Sequence, residues 1–177
     1  MQKVAEVYQQ SFSEWMTNKN TKLRPNMFLD LSSRAPMVAF ESMELMIAET
    51  RLSKNPRGFQ LAKAFEIIAS TIKSLPTVNE GAIEVKFVAA LQSFSTSIIE
   101  SLQKVPLSGP NAISKDRFKE IVKALAVVVR RCKTQILDKS WNTSVLSNGL
   151  EELKEHQYFK SNTGIQTICK QISAQLV

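Results

Sequence analysis

A chain of 177 residues with 44% hydrophobic content can bury a real core, which excludes disorder over most of its length and fits one domain or a piece of a larger protein. Lysine and arginine outnumber aspartate and glutamate by 23 to 16, and the net charge of +7 favours anionic partners. There is no signal-peptide pattern and no apolar run long enough to cross a bilayer, so we expect a soluble domain without a membrane partner.

Four helices are predicted before residue 75 from the helical spacing of apolar side chains. They cover residues 2–18, Pro25 to about Arg34, Pro36 to Leu52, and the Asn55 cap through Ile72. The three prolines at 25, 36 and 56 suit first helical turns, where the missing N–H removes no intrahelical bond. The expected buried residues of the first helix are Val4, Val7, Tyr8, Phe12 and Trp15, and those of the fourth are Phe59, Leu61, Ala62, Phe65, Ile68, Ala69 and Ile72.

A fifth helix is predicted from about Glu80 to Lys104 because its apolar residues recur every three or four positions. These residues are Ile83, Phe87, Leu91, Phe94, Ile98 and Leu102. The connection 105–113 then holds two prolines and a glycine, which indicates a weak internal boundary. We otherwise expect residues 1–177 to form a single helical domain, as a fragment of a larger protein.

The densest apolar run and the densest basic run of the chain coincide in one predicted helix, Ser114 to Leu137. Ser114 is a suitable N-cap, and Asp116 suits the positive end of the helix dipole. Winding the segment at 100° per residue predicts one buried face. This face contains Ile121, Leu125, Val128, Val129, Cys132 and Ile136, with Phe118 and Val122 at its edges.

A basic stripe lies on another face of the same predicted helix. It contains Lys115, Lys119, Lys123, Arg130 and Lys133, and the nearby Arg131 and Lys139 complete the candidate binding set. One interpretation is a solvated face whose lysine stems cover apolar surface. The other is a surface that binds phosphates or an acidic partner.

Two further helices are predicted after a turn around Trp141 and Asn142. The first passes through Val145, Leu146, Leu150 and Leu153, and the second contains Ile165, Ile168, Cys169, Ile172 and Leu176. Asn162 or Thr163 is expected to cap the last helix. His156 is placed at the end of the preceding helix, where its imidazole would bond a terminal carbonyl or meet water.

About eight helices joined by short polar turns predict an all-α fold with little or no sheet. Antiparallel hairpins stacked as an armadillo- or HEAT-like solenoid are favoured because helix pairs recur at roughly 35 to 45 residues, near the length of those repeats. A compact helix bundle is the alternative.

The residue pattern argues against an enzyme. His156 is the only histidine, the five glycines form no phosphate-binding motif, and the acidic patch of Glu151, Glu152 and Glu155 is typical of a solvated face. We therefore expect no cofactor, no metal site and no small-molecule substrate. Cys132 and Cys169 lie on apolar helix faces and are expected to be small core residues.

One segment resembles a known family. Residues 19–36, KNTKLRPNMFLDLSSRAP, followed by the helix around Ala62, Ala64, Phe65 and Ile68, are similar to the C-terminal helical-repeat region of the Myb-binding protein 1A family, also called the DNA polymerase phi or yeast-type fifth DNA polymerase family. The resemblance implies a solenoid within a large nucleolar protein of ribosomal RNA transcription and pre-ribosome assembly, without polymerase activity. It supplies no catalytic residues, and the missing Lys/Arg-rich tail implies a fragment.

Two functional hypotheses follow. The first is a non-catalytic scaffold in the nucleolus whose basic faces bind ribosomal RNA or acidic assembly factors, alongside other nucleolar proteins. The second is a protein-interaction adaptor, with a partner helix in a groove between helix pairs and a basic stripe that is merely solvated. A cytoplasmic location is the alternative to the nucleolus.

Overall fold

The computed structural model describes residues 81–109 and 112–177, together with Val7, Gln10 and residues 65, 66, 68–70, 72 and 73. Six bounded helices occur here: α1 Gly81–Lys104, α2 Lys115–Arg131, α3 Lys133–Leu137, α4 Ser144–Leu153, α5 Gln157–Lys160 and α6 Thr163–Gln175. The described residues between 65 and 73 are also helical, and we call them the flanking segment. The described part contains no strand, which agrees with the all-α prediction.

The regular apolar stripe of α1 packs into the core. Its residues Leu91, Phe94, Ile98 and Leu102 are fully buried, as their spacing predicted. The Phe94 ring lies 5.4 Å from the ring of Phe65 in the flanking segment. The flanking segment also buries Ile68, Ala69 and Ile72, as predicted. The side chains of Ile83 and Phe87 lie outside the described ones.

The buried face predicted for the central helix is confirmed. All eight of its residues have exposures of 8% or less, from Phe118 through Ile136. Ser114 caps α2 by accepting a hydrogen bond from the Arg117 amide at 3.3 Å, and Asp116 lies in the first turn. The start of the helix is therefore specified by local chemistry as well as by burial.

The prediction of one unbroken helix from Ser114 to Leu137 is wrong at Cys132. There the backbone leaves the helical region, with φ −94° and ψ 19°, and α2 ends at Arg131. The amide of Cys132 still donates to the Val128 carbonyl at 3.0 Å, and the Ile136 amide donates to the Cys132 carbonyl at 3.0 Å. Since hydrogen bonds and burial continue across the break, the apolar periodicity carries no sign of it.

Three helices follow α3. Asn162 caps α6 as predicted, because its side-chain oxygen accepts the Ile165 amide at 3.0 Å. The short α5 separates α4 from α6 and was not predicted. The ring of His156 was expected to bond a terminal carbonyl or to meet water. Instead it caps α5, and its Nδ1 accepts a hydrogen bond from the Tyr158 amide at 3.1 Å. Val145, assigned to the apolar face of α4, is instead 59% exposed.

The helices stack as two hairpins. The α1–α2 pair packs against the pair formed by α4 and α6, with α1 contacting α4 and α2 contacting α6. Gly149 of α4 permits the first contact, because a Cβ there would overlap Ile99 of α1. One layer thus contains α1 and α4, the other contains α2 and α6, and α2 lies at the centre of the packing.

The connection between α1 and α2 is buried at both ends. Val105 and Ile113 belong to the same core cluster as the helices that they join. Gly109 has a φ of 88°, a conformation that side chains disfavour, and its carbonyl accepts the Ala112 amide at 3.1 Å.

The helices predicted over 25–34 and 36–52, and the segment 19–36 that carries the family resemblance, lie outside the described residues. Of the helix predicted over 2–18, Val7 and Gln10 are described and helical, and Val7 is 63% exposed although it was assigned to the apolar face. No helix in the described part is both long and apolar enough to cross a membrane.

Candidate partner-binding surface

The seven predicted basic residues lie on α2, on α3 and in the turn after α3. Two of them, Lys123 and Arg130, line a cleft beside α2. Lys115 and Lys119 are half-buried near the start of α2. The remaining three, Arg131, Lys133 and Lys139, lie outside the cleft lining. Of the stripe predicted on one helix face, Lys123 and Arg130 thus border the cleft.

The two lysines near the start of α2 contact neighbouring elements. The Lys115 amine lies 6.0 Å from the centre of the Tyr158 ring, at the outer limit of a cation–π contact. Tyr158 is itself held by a 2.8 Å hydrogen bond from its hydroxyl to the Ile113 carbonyl. The Lys119 side chain covers Gly164, where a Cβ would lie 2.7 Å from the lysine Nζ. These lysines have part of their surface occupied by α5 and α6.

The cleft lies between three helical elements and has a volume of about 290 Å³. The flanking segment contributes Glu66, Ala69, Ser70 and Lys73; α2 contributes Glu120, Lys123, Ala124, Ala126, Val127 and Arg130; and α6 contributes Ile168 and Gln171. Its lining therefore combines three cations, two carboxylates and a strip of small or apolar side chains. No histidine, cysteine or aromatic ring is among these residues.

The two predicted cations in the cleft differ in their partners. The Lys123 amine forms an ion pair with Glu120 one turn earlier, at 2.6 Å, and both side chains are about half exposed. Such an exposed pair is worth less than about 1 kcal/mol, so a stronger anionic partner can displace it. The Arg130 side chain is exposed and forms no hydrogen bond or ion pair with another described residue. An incoming carboxylate or phosphate thus meets an accessible guanidinium two turns from an exchangeable lysine.

The other three basic residues lie toward the end of α2 and beyond it. Arg131 is half-buried, Lys133 is exposed on α3, and Lys139 is exposed in the turn after α3. Lys139 has a φ of 60°, a left-handed conformation that a non-glycine residue adopts at some cost. These residues provide a useful comparison set, since Lys133 and Lys139 carry the same charge as Lys123 and Arg130 without lining the cleft.

Sequence reasoning missed part of the cleft. Lys73 lies in the segment 54–75, which has a net charge of +3, but no local sequence pattern places it beside α2. Ile168 was assigned to the core face of α6, yet it is half-buried and borders the cleft. The approach of the flanking segment to α2 depends on tertiary packing, which helical periodicity does not report.

His156 belongs to an aromatic cluster with a structural role. Its ring stacks on Phe118 at a centroid distance of 4.5 Å and lies 5.6 Å from the Tyr158 ring. Burial lowers the pKa of His156 below its usual 6.5, because desolvation disfavours the charged imidazolium. The neutral ring is also the form whose Nδ1 can accept the Tyr158 amide.

The remaining candidate chemical groups are accounted for by packing or by solvent-exposed pairs. Cys132 and Cys169 form no disulfide and are buried, as predicted for core residues. Glu151 pairs with Lys154 at 2.6 Å, Glu155 pairs with Lys160 at 2.5 Å, and Glu152 accepts a hydrogen bond from Gln103. Within the described ranges, no three His, Cys, Asp or Glu side chains are placed to hold a metal ion.

A second cleft of about 330 Å³ lies between α1 and the start of α4. It is lined by Ala89, Gln92, Ser93, Ser95, Thr96, Ile99, Trp141, Asn142, Val145 and Leu146. Trp141 is only 8% exposed and packs into the core, so its ring is not available to stack on a base. Because none of the described residues lining this cleft is charged, they offer less to an anionic partner than those of the first cleft.

A family model described as "Myb-binding protein 1A-like, TPR repeats" matches residues 1–175. The match confirms the resemblance stated for residues 19–36 and extends it over nearly the whole chain. It also supports a repeat-type helical domain, and its description gives the repeats as TPR, whereas the sequence predicted armadillo- or HEAT-like hairpins. No curated protein and no solved structure gives a significant match.

Proposed function

The chain belongs to the Myb-binding protein 1A-like family of helical-repeat proteins, and we propose that it is a non-catalytic scaffold that binds an anionic partner in nucleolar ribosomal RNA transcription and ribosome biogenesis. The anionic partner is ribosomal RNA or an acidic assembly protein. The family match supports the nucleolar setting of this proposal. The armadillo- or HEAT-like form of the solenoid belongs to the same proposal.

One observation carries the binding proposal. Lys123 and Arg130 lie on the same side of α2 and line a cleft that also receives Lys73 from a different part of the chain. The described lining holds three cations and two carboxylates, so its net charge of +1 favours an anionic partner. The stacked hairpins supply a fixed surface for such a cluster, as expected of a repeat scaffold.

The experiment compares two double variants with equal change in charge. Lys123→Glu with Arg130→Glu alters the cleft, whereas Lys133→Glu with Lys139→Glu alters exposed cations outside it. Binding of a labelled ribosomal RNA fragment and of a labelled polyglutamate peptide is measured by fluorescence anisotropy at several salt concentrations. Circular dichroism checks that both variants retain their helix content.

We expect the cleft variant to bind at least one of these probes about tenfold more weakly than wild type, a difference of about 1.4 kcal/mol. The control variant should stay within about threefold of wild type. The wild-type affinity should fall as salt rises, since the contacts are ionic. Equal losses in the two variants would mean that binding follows net charge alone, and the proposal would then be rejected.

The second candidate is the adaptor whose groove takes a partner helix while the basic residues remain solvated. It is favoured by the apolar part of the same cleft, where Ala124, Ala126, Val127 and Ile168 lie together. Binding of a partner helix that does not change with ionic strength or with the charge of Lys123 and Arg130 would support the adaptor over the anion-binding scaffold.

A further inference from the structure

The α2 side of the cleft has an ordered pattern of charge. Lys123, Val127 and Arg130 occupy positions i, i+4 and i+7, so they follow one another along the same side of the helix. At 1.5 Å per residue, the two cations are separated by about 10.5 Å along the helix axis, with the valine between them. Along the α2 side of the cleft, which we call its floor, a cation (Lys123), an apolar residue (Val127) and a second cation (Arg130) therefore follow one another.

The walls of the cleft are helical and partly made of small side chains. The flanking segment contributes Ala69 to the lining of the cleft, α6 contributes Ile168, and α2 contributes Ala124 and Ala126. Small residues let a further helix approach closely, within the 8–10 Å between axes that is usual for packed helices. The part of α2 that borders the cleft, from Glu120 to Arg130, is about 15 Å long, which corresponds to almost three turns of a partner helix.

We propose that this cleft binds one amphipathic helix of a partner protein. That helix carries two acidic residues about two turns apart, which face Lys123 and Arg130. An apolar residue between them faces Val127. The inference rests on the proposed function and specifies the class of anionic partner. The apolar side chain of the partner packs against Val127 and Ile168. Its two carboxylates meet the two cations in the order that the floor dictates.

Two features of the cleft favour a protein helix over RNA. Glu66 and Glu120 line the same cleft as the cations, so its described lining alternates in charge and matches a continuous row of phosphates poorly. An amphipathic helix can avoid these carboxylates, because its acidic residues occupy only chosen positions. In addition, none of the described residues that line the cleft is aromatic, so they supply no ring on which single-stranded bases stack.

The test uses the 177-residue chain and designed peptides of about four turns. The first peptide carries glutamate, leucine and glutamate at i, i+4 and i+7 in an alanine-rich helix. In the second the central leucine is serine, and in the third two prolines break the helix at constant charge. The fourth replaces the two glutamates by lysines. A uridine oligonucleotide of matched net charge is the nucleic-acid probe.

We expect wild type to bind the first peptide about tenfold more tightly than the serine peptide, because serine lacks the apolar contact that leucine makes with Val127 and Ile168. The proline peptide should also bind about tenfold more weakly. The Lys123→Glu, Arg130→Glu variant should lose affinity for the glutamate peptide and gain affinity for the lysine peptide. A gain of affinity for the lysine peptide requires a folded cleft. It therefore excludes unfolding of the variant as the cause of its lower affinity for the glutamate peptide.

The inference is overturned if the serine and proline peptides bind as tightly as the first peptide. It is also overturned if the uridine oligonucleotide binds more tightly than the peptide and loses affinity in the cleft variant. In both cases anion binding at Lys123 and Arg130 survives, and the proposed scaffold function with it. If no anionic probe responds to these two residues while the control behaves as wild type, both the inference and the binding function fall.

Discussion

Gly149 of α4 lies directly against Ile99 of α1, with no space for a methyl group between them. A Cβ on Gly149 would lie 3.2 Å from the Cδ1 of Ile99 and closer still to its Cγ2. Ile99 is 4% exposed and β-branched, so its Cγ2 cannot move away without a change in the packing of the core. This contact sets how closely the two stacked hairpins approach.

We therefore expect Gly149→Ala to lower the free energy of unfolding by about 1–2 kcal/mol. Overpacking of a core contact costs about 1–3 kcal/mol, and the better helix propensity of alanine offsets up to about 1 kcal/mol of it. Urea denaturation followed by circular dichroism measures the change. Gly164→Ala is the matched control, since a Cβ there meets only the movable end of Lys119 and the side chain of its own cap, Asn162. The control should be neutral or slightly stabilising, and equal destabilisation by both alanines would contradict the close approach of α1 and α4.

The cap of α6 provides a second prediction. Asn162→Ala removes the hydrogen bond from the Ile165 amide and should destabilise the fold by about 1 kcal/mol. Asn162→Asp keeps an acceptor and adds negative charge at the positive end of the helix dipole, so it should preserve or slightly raise stability. Thermal unfolding of the two variants beside wild type checks this order. An alanine variant as stable as the aspartate variant would show that the cap contributes little.

Stability should also depend on pH through His156. Its folded pKa is lowered by burial, so the neutral form is favoured in the native state. The resulting stabilisation is fully present above the unfolded value of 6.5 and is lost as pH falls through the lower, folded pKa. Because the ring is partly exposed, solvent screening keeps this loss of stability small.

The measurement is urea denaturation at several pH values between 7.5 and about 5, above the usual pKa of glutamate and aspartate. His156 is the only histidine of the chain, so its titration can be assigned by substitution. In His156→Asn the side chain can still cap α5 and does not titrate. The variant should show a flatter dependence of stability on pH, and an unchanged slope would assign the dependence to other groups.

The two buried cysteines should react slowly with thiol reagents. Burial raises the pKa of Cys169 from 9.0 to about 11, against a smaller opposing effect of Lys154. At pH 8 this difference of about two units reduces the thiolate fraction about a hundredfold, and restricted access slows labelling further. Mass spectrometry after N-ethylmaleimide treatment should find little modification of native protein and rapid modification of both cysteines in urea. Fast labelling of the native chain would contradict their burial.

Much of the helical framework could be predicted from local patterns. The stripe of α1, the buried face of α2 and the caps at Ser114 and Asn162 each depend on residues within a few turns of one another. The break at Cys132 could not be predicted, because apolar spacing continues on both sides of it. The short α5 was missed because it is capped by the ring of His156, and histidine is not among the residues that usually signal a helix start.

The candidate site was predictable only in part. Lys123 and Arg130 were identified from their common position on α2, but the same projection grouped them with Lys115 and Lys119, which α5 and α6 partly cover. Lys73 was not identified as their neighbour, since it is 50 residues from Lys123 in sequence. A helical projection gives the direction of each side chain around one axis and contains no information about which other helices approach that axis.

The central position of α2 has a consequence for how a partner would be bound. Since α2 packs against both α1 and α6, its amide hydrogens should be among the last in the described part to exchange with deuterated solvent, whereas those of the short α3 and α5 should exchange early. Among the described helices, α2, which carries Lys123, Val127 and Arg130, is thus the one least able to rearrange. Binding of a partner at α2 would therefore change the conformational entropy of this helix little. The entropy lost on binding would come mainly from the partner segment as it becomes ordered.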